Sequence, residues 1–269
     1  MRSKLEGEER QMKILLVNDD GIEGVGLIAL VKELYGKHEI YVVAPKHECS
    51  GNSHALNFRT PIMVTKTTIP GYEDVPAWYV DGSPADCSRI ALTVILKDNL
   101  PDICLSGINR GPNMGVNILW SGTTNAATQA TLHGIRALAF SHVCFTNEPE
   151  GFVYAAKFAR RLAEMADKFK FPVRTILNVN FPNLNEVVPK KVVVTRMSNT
   201  NWFGGYTVVE EVDENNISYR VQSNYRPDDG PGDDAYEIRQ GNISITPLIS
   251  EFTDERALDG IEFLNDMEI

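Results

Sequence analysis

From Lys13 onward, apolar strand-like runs alternate with segments whose apolar residues recur at helical spacing. The run KILLV precedes a segment in which Leu27, Val31 and Leu34 share one helical face, and EIYVVAP follows, ending at Pro45. Strands with almost no polar interruption are typical of a parallel sheet covered by helices on both faces. The alternation therefore predicts an α/β fold with a mostly parallel sheet between two helical layers.

The same alternation continues as far as residue 182. The spacing predicts, in order, a helix over 85–95, a strand at DICLS, a loop over 107–115, a helix over 123–133, a strand at ALAFS, a helix over 152–169 and a strand at TILNVNFP.

After residue 182 the pattern changes to short β-rich runs separated by Asn, Gly and Asp. These runs are VVVTR, YTVVEEV, ISYRVQS and ISITPL. They predict a β-hairpin-rich appendage over 183–269, with an exposed acidic loop at RPDDGPGDD and a closing helix near 254–264. We expect a mobile leader over 1–11 and an α/β core over 12–182.

The charge balance bears on possible partners. The chain has 26 Lys and Arg against 36 Asp and Glu, a net charge of -10, which disfavours nucleic acid as a partner. Its four cysteines show no C-x-x-C spacing, and no apolar stretch is long enough to span a bilayer. We therefore expect a cytoplasmic protein with reduced cysteines and neither a nucleic-acid nor a membrane partner.

The segments that follow the strands carry the candidate chemistry, because ligands of open parallel sheets bind outside the carboxyl ends of the strands. Three such ends are rich in oxygen and amide groups: Asn18-Asp19-Asp20-Gly21, Glu48-Cys49-Ser50-Gly51-Asn52 and Ser106-Gly107-Ile108-Asn109.

The adjacent carboxylates of Asp19 and Asp20 predict a metal site. Two such groups repel by a few kcal/mol at a separation of ~4 Å unless one is protonated or a cation lies between them. Mg²⁺ takes one or two carboxylates together with other oxygens. The alternative is that one side chain caps the helix that opens near Glu23. For this stretch alone, the metal site and the helix cap are supported equally. Ser50 and Asn109 offer neutral oxygens at the same predicted edge of the sheet, and this favours the metal site.

A helix start at Ser121, Gly122 and Thr123 is a candidate anion site, because free backbone N–H groups and the helix dipole favour negative charge there. An ordinary Ser N-cap is the alternative. The spacing of Gly21, Gly24 and Gly26 does not match the dinucleotide-binding fingerprint.

Five stretches together carry a resemblance to a known family. NDDG, VVAP followed by a Ser-Gly loop, DGSPADC, SGINRGPNMG and SGTTNAA occur in this order between Met12 and Ser141. This set resembles the SurE family of metal-dependent nucleotidases. The resemblance implies a Rossmann-like core and a C-terminal hairpin region used in a homodimer or homotetramer. It also implies hydrolysis of nucleoside monophosphates, with 5′ or 3′ position left open.

The resemblance also assigns roles to residues. It implies one divalent ion per subunit, Mg²⁺ or Mn²⁺, held by Asp19, Asp20, Ser50 and Asn109. Of these four, Asp19, Asp20 and Asn109 are expected to be catalytic. The substrate phosphate is expected near Gly51, Asn113, Ser121, Gly122 and Thr123.

Some positions depart from the family pattern. Asn117 and Gln129 stand where acids are usual, and Trp120 replaces a usual Tyr. The lost acids leave open a non-catalytic, nucleotide-sensing oligomer. A phosphatase with Asp19 as covalent nucleophile is a further alternative, although the D-x-D spacing of such enzymes is absent.

Overall fold

A computed structural model describes residues 11–170 and 172–267, so residues 1–10 of the predicted leader lie outside the described part. The strands are β1 Lys13–Val17, β2 Glu39–Pro45, β3 Val64–Ile69, β4 Tyr72–Val80, β5 Ile103–Arg110, β6 Arg136–His142, β7 Thr175–Phe181, β8 Val192–Val194, β9 Asn201–Asp213, β10 Asn216–Arg226 and β11 Ile243–Ile249. The α-helices are α1 Val25–Leu34, α2 Pro84–Ile90, α3 Gly122–Leu132, α4 Glu150–Glu164, α5 Asp234–Arg239 and α6 Glu255–Ile261.

Shorter helical turns extend several of these elements. A π-helical turn over Ala91–Ile95 prolongs α2, and a 3-10 helix over Gly115–Trp120 leads into α3. Two more 3-10 turns, Ala166–Lys168 and Glu262–Asp266, follow α4 and α6. None of the helices in the described ranges is long and apolar enough to cross a bilayer.

Nine strands form one sheet in the order β3-β4-β2-β1-β5-β6-β7-β11-β8. The strands from β4 to β7 in this order are parallel, whereas β3 is antiparallel to β4 and β11 is antiparallel to β7. The predicted α/β class with a mostly parallel sheet is confirmed.

The sheet separates two apolar cores, and β1 contributes to both. Ile14 and Leu16 pack in the core that contains α1 and α4, whereas Leu15 and Val17 pack in the core that contains α2 and α3. Successive side chains of a strand point to opposite faces of the sheet. A strand with a core on each face is therefore apolar at every position inside the sheet, as β1 is over residues 14–17. At Gly26, a Cβ would lie 1.9 Å from the carbonyl oxygen of Ile108, so α1 passes directly against the end of β5.

Several predicted bounds differ from the structure. The hairpin of β3 and β4 was not predicted, because its polar residues hide the strand pattern. β5 extends to Arg110 by pairing with β6, so the predicted loop over 107–115 begins later. The prediction of an exposed acidic loop at RPDDGPGDD is wrong at the last residue of this stretch. Asp234 is fully buried and is the first residue of α5.

The four short β runs after residue 182 belong to two different sheets. β9 and β10 form a separate two-stranded antiparallel sheet, the hairpin predicted for this region. β8 and β11 instead join the main sheet beyond β7. The division of the chain at residue 182 stays a prediction.

Candidate functional site

A cavity of about 600 Å³ lies at the carboxyl edge of the parallel strands, and we call it the main cavity. It brings together six of the sequence-predicted site residues: Asp19, Ser50, Gly51, Asn109, Asn113 and Ser121. The convergence follows from the sheet, because the segments after parallel strands meet at one edge.

Asp19 is buried against the start of α3. Its Oδ1 accepts a hydrogen bond of 2.6 Å from Thr123 Oγ1, and a Cβ on Gly122 would lie 2.7 Å from Asp19 Cβ. Burial raises the pKa of Asp19 to about 7; the Thr123 hydrogen bond opposes this rise and the charge of Asp20 adds to it. Gly122 and Thr123 thus pack against a candidate metal ligand, and the Thr123 hydroxyl is occupied by Asp19.

Asp20 lines a second, smaller cavity of about 190 Å³ together with Glu48 and Arg110. Its Oδ2 accepts a hydrogen bond of 3.2 Å from the backbone N–H of Arg110. Burial raises the pKa of Asp20, the Arg110 N–H and charge lower it, and Glu48 raises it. Arg110 lines both cavities and pairs with Glu48 at 3.2 Å.

The neutral oxygen groups are held by neighbours on their own loops. Ser50 Oγ donates to Glu48 Oε1 at 2.8 Å, and Asn109 Nδ2 donates to the carbonyl of Gly111 at 2.7 Å. The second bond leaves Asn109 Oδ1 as the amide atom that can act as a ligand.

The donor set fits a hard divalent cation. No group of three or more His, Cys, Asp or Glu side chains in the described ranges could hold a metal ion. Asp19, Ser50 and Asn109 line the main cavity, and Asp20 lines the smaller cavity that shares Arg110 with it. Their side-chain oxygens are of the kind that Mg²⁺ or Mn²⁺ prefers. The raised pKa of Asp19 means that burial disfavours its negative charge, and a bound cation would stabilise that charge.

The two alternatives based on helix capping have different outcomes. The N-cap of α1 is Gly24, so neither Asp19 nor Asp20 caps that helix. Ser121 does cap α3, since its Oγ accepts a hydrogen bond of 3.1 Å from Thr124 N, and it also lines the main cavity.

A buried polar network behind the main cavity holds Asn113. Its Nδ2 donates to Ser141 Oγ at 2.8 Å and to Thr123 Oγ1 at 3.3 Å. Its backbone carbonyl accepts from Asn178 and Asn180, at 2.8 and 2.9 Å. Sequence reasoning missed these partners, although the polar residues of TILNVNFP in an otherwise apolar strand were a usable signal.

Four aromatic residues also line the main cavity: Trp120, Trp202, Phe203 and Tyr206. The ring centroids of Trp120 and Phe203 are 6.1 Å apart and those of Phe203 and Tyr206 are 5.6 Å apart. Three of these residues belong to β9, far from the others in sequence, so no local motif could reveal them.

Comparisons with known proteins agree over most of the chain. A family model described as "Survival protein SurE" matches residues 14–204. A protein of Clostridium beijerinckii named 5'-nucleotidase SurE is 35% identical over 251 residues, covering 93% of this chain and 98% of the relative. One of Myxococcus xanthus with the same name is 38% identical over 250 residues, covering 91% and 90%. The crystal structure of the SurE protein from Aquifex aeolicus matches with a TM-score of 0.78 at 32% identity, covering 94% of this chain and 100% of that one.

Proposed function

Because the chain belongs to the survival protein SurE family, we propose that it is a 5′-nucleotidase that hydrolyses nucleoside monophosphates to nucleoside and phosphate. The observation that carries this proposal is the main cavity, where a carboxylate, serine hydroxyls and three asparagine amides converge beside a helix start. The proposal extends to 3′-monophosphates, which the resemblance of the sequence motifs to the family also implies.

Asp19, Asp20, Ser50 and Asn109 would hold one divalent cation, Mg²⁺ or Mn²⁺, in each subunit. When bound, such an ion polarises a phosphate and lowers the pKa of a water.

The chain's own residues position the substrate and accept a proton. Gly51, Asn113 and the α3 start at Ser121, Gly122 and Thr123 would surround the phosphate, with backbone N–H groups of the α3 start facing its oxygens. Thr123 holds Asp19 Oδ1, which leaves Oδ2 to accept a proton from the attacking water.

The first prediction concerns the two carboxylates. Asp19→Asn is expected to lower kcat at least 100-fold with the fold intact, because the buried proton acceptor is lost. Asp20→Asn is expected to weaken Mn²⁺ binding at least tenfold. The measurements are AMP hydrolysis with and without a chelator, calorimetric Mn²⁺ titration and circular dichroism. Asp98→Asn, at an exposed turn, is the matched control. A fully active Asp19→Asn protein would overturn the assignment.

The same assays separate the alternatives. AMP binding without turnover by the metal-loaded protein would indicate a nucleotide sensor. A phosphorylated Asp19 trapped during turnover would indicate covalent catalysis.

We further propose a cytoplasmic homodimer or homotetramer. The exposed apolar residues of the β9–β10 hairpin support self-association, with Val208 and Tyr219 53% and 58% exposed.

A further inference from the structure

We propose that Trp120 and Phe203 form the surface on which the nucleobase of the substrate stacks, and that this contact gives the enzyme its preference for nucleotides over other phosphate esters. The inference rests on the proposed nucleotidase function. It assigns a specificity role to β9, which supplies none of the predicted metal or phosphate ligands.

The lining of the main cavity contains two chemically different groups of residues. Asp19, Ser50 and Asn109 supply polar groups to its lining, and Trp120 and Phe203 supply aromatic rings. A volume of about 600 Å³ is within the usual range for sites that enclose small molecules. The cavity thus suits a ligand with a charged end and a flat apolar end, as in a nucleoside monophosphate.

The ring geometry favours stacking on one face over insertion between the rings. The rings of Trp120 and Phe203 are inclined by 33° and their centroids are 6.1 Å apart. A base between two parallel rings needs roughly 7 Å, because each of its two faces requires a contact distance of about 3.5 Å. Their exposures of 42% and 40% leave ring surface available to a ligand. Tyr206 meets Phe203 edge to face, at an interplanar angle of 80°, and supports that ring from the side.

The expected size of the effect follows from measured base stacking. Loss of one aromatic ring costs roughly 5- to 150-fold in binding, because stacking is worth about 1–3 kcal/mol per base. Stacking tolerates all bases, since every base has a π face, so the surface discriminates nucleotides from sugar phosphates more than one base from another.

The test compares AMP with ribose 5-phosphate, which carries the same phosphate and sugar without a base. The ratio of kcat/KM for AMP to that for ribose 5-phosphate should fall about tenfold in Trp120→Ala and Phe203→Ala, mainly through KM for AMP. Trp120→Tyr should recover most of the ratio because it restores a ring. Tyr154→Ala removes an exposed ring on α4 and is the matched control, expected to keep the wild-type ratio.

The outcomes distinguish the inference from the proposed function. Wild-type protein that hydrolyses neither substrate contradicts the nucleotidase proposal itself. Wild-type protein that hydrolyses both, with an unchanged ratio in the two alanine variants, overturns the stacking surface alone. Trp120→Ala that loses both activities equally, and is not rescued by Trp120→Tyr, also overturns it.

Discussion

At the residue scale, hydrogen bonds within the site determine which atoms remain for a ligand. Thr123 donates to Asp19 Oδ1, and Asn109 donates to the carbonyl of Gly111. Asn113 commits both amide hydrogens to Ser141 and Thr123. The side-chain atoms left over are mostly acceptor oxygens. Such a set favours a cation or a substrate hydroxyl, and backbone N–H groups and Arg110 are donors available for phosphate oxygens.

His142 gives a residue-scale prediction on pH. Its Nε2 accepts a hydrogen bond of 2.9 Å from Leu184 N, and burial lowers its pKa to about 4. Between pH 4 and 6.5 the unfolded chain binds a proton at this histidine and the folded chain does not, so the fold loses stability as pH falls. We expect this residue to contribute a loss of roughly 1–3 kcal/mol between pH 7.5 and 4.5.

The measurement is urea unfolding of wild type and His142→Gln across that pH range. Gln retains an acceptor and does not titrate, so the stability difference between the two proteins should shift in favour of the variant as pH falls. A constant difference would show that the pKa of His142 is the same in the folded and the unfolded chain, and would contradict the lowered value.

The site residues that could be predicted are those next to strand ends. Asp19, Ser50 and Asn109 meet because β1, β2 and β5 are parallel neighbours, which apolar patterning indicated. The partition of Asp19 and Asp20 into different cavities depends on the direction of each side chain after β1, which no pattern of residue types encodes.

At the element scale, Asp234 connects α5 to the loop before α3. Its Oδ2 accepts from Gly115 N and its Oδ1 accepts from Ser198 N, both at 3.0 Å. These bonds join segments that are far apart in sequence. The C-terminal part of the chain thereby positions the 3-10 helix that carries Asn117 and Trp120 into the main cavity.

Asp234→Asn should therefore lower the free energy of unfolding by about 1.5–3 kcal/mol, because an amide has only one acceptor oxygen where the carboxylate accepts from three buried backbone N–H groups. KM for AMP should rise as well, since the 3-10 helix loses an anchor. Urea unfolding and steady-state kinetics check both effects. Asp228→Asn, an exposed neighbour, should change neither, and equal effects of the two substitutions would contradict the anchoring role.

The elements themselves were predictable where their apolar pattern was complete, as in β1, α1 and β6. The β3–β4 hairpin was missed because it forms the polar edge of the sheet. α5 was missed because Asp234 is buried by backbone N–H donors from distant segments, a contact that local composition cannot reveal.

At the scale of the whole molecule, the β9–β10 hairpin is an exposed element with apolar side chains on its surface. Two-stranded sheets are marginally stable alone in water, and this one carries exposed apolar residues at Val208 and Tyr219. These residues face each other across the hairpin. The proposed self-association would cover them.

Val208→Asp should shift the assembly toward the 30.0 kDa monomer and weaken association at least tenfold, because a buried unpaired charge is costly. Light scattering after size exclusion, over a range of concentrations, measures the mass. Val208→Thr keeps the shape without the charge and should stay associated. A monomeric wild-type protein at all concentrations would refute the proposed assembly.

The position of β11 between β7 and β8 has a consequence for synthesis on the ribosome. β11 is the strand that covers the outer edge of β7 and pairs with β8, yet it emerges after the whole β9–β10 hairpin has been made. Until residue 249 is translated, β7 presents an unpaired edge that can recruit other nascent chains. Release of this protein in a folded form is thus tied to translation as far as β11, and termination before that strand favours aggregation.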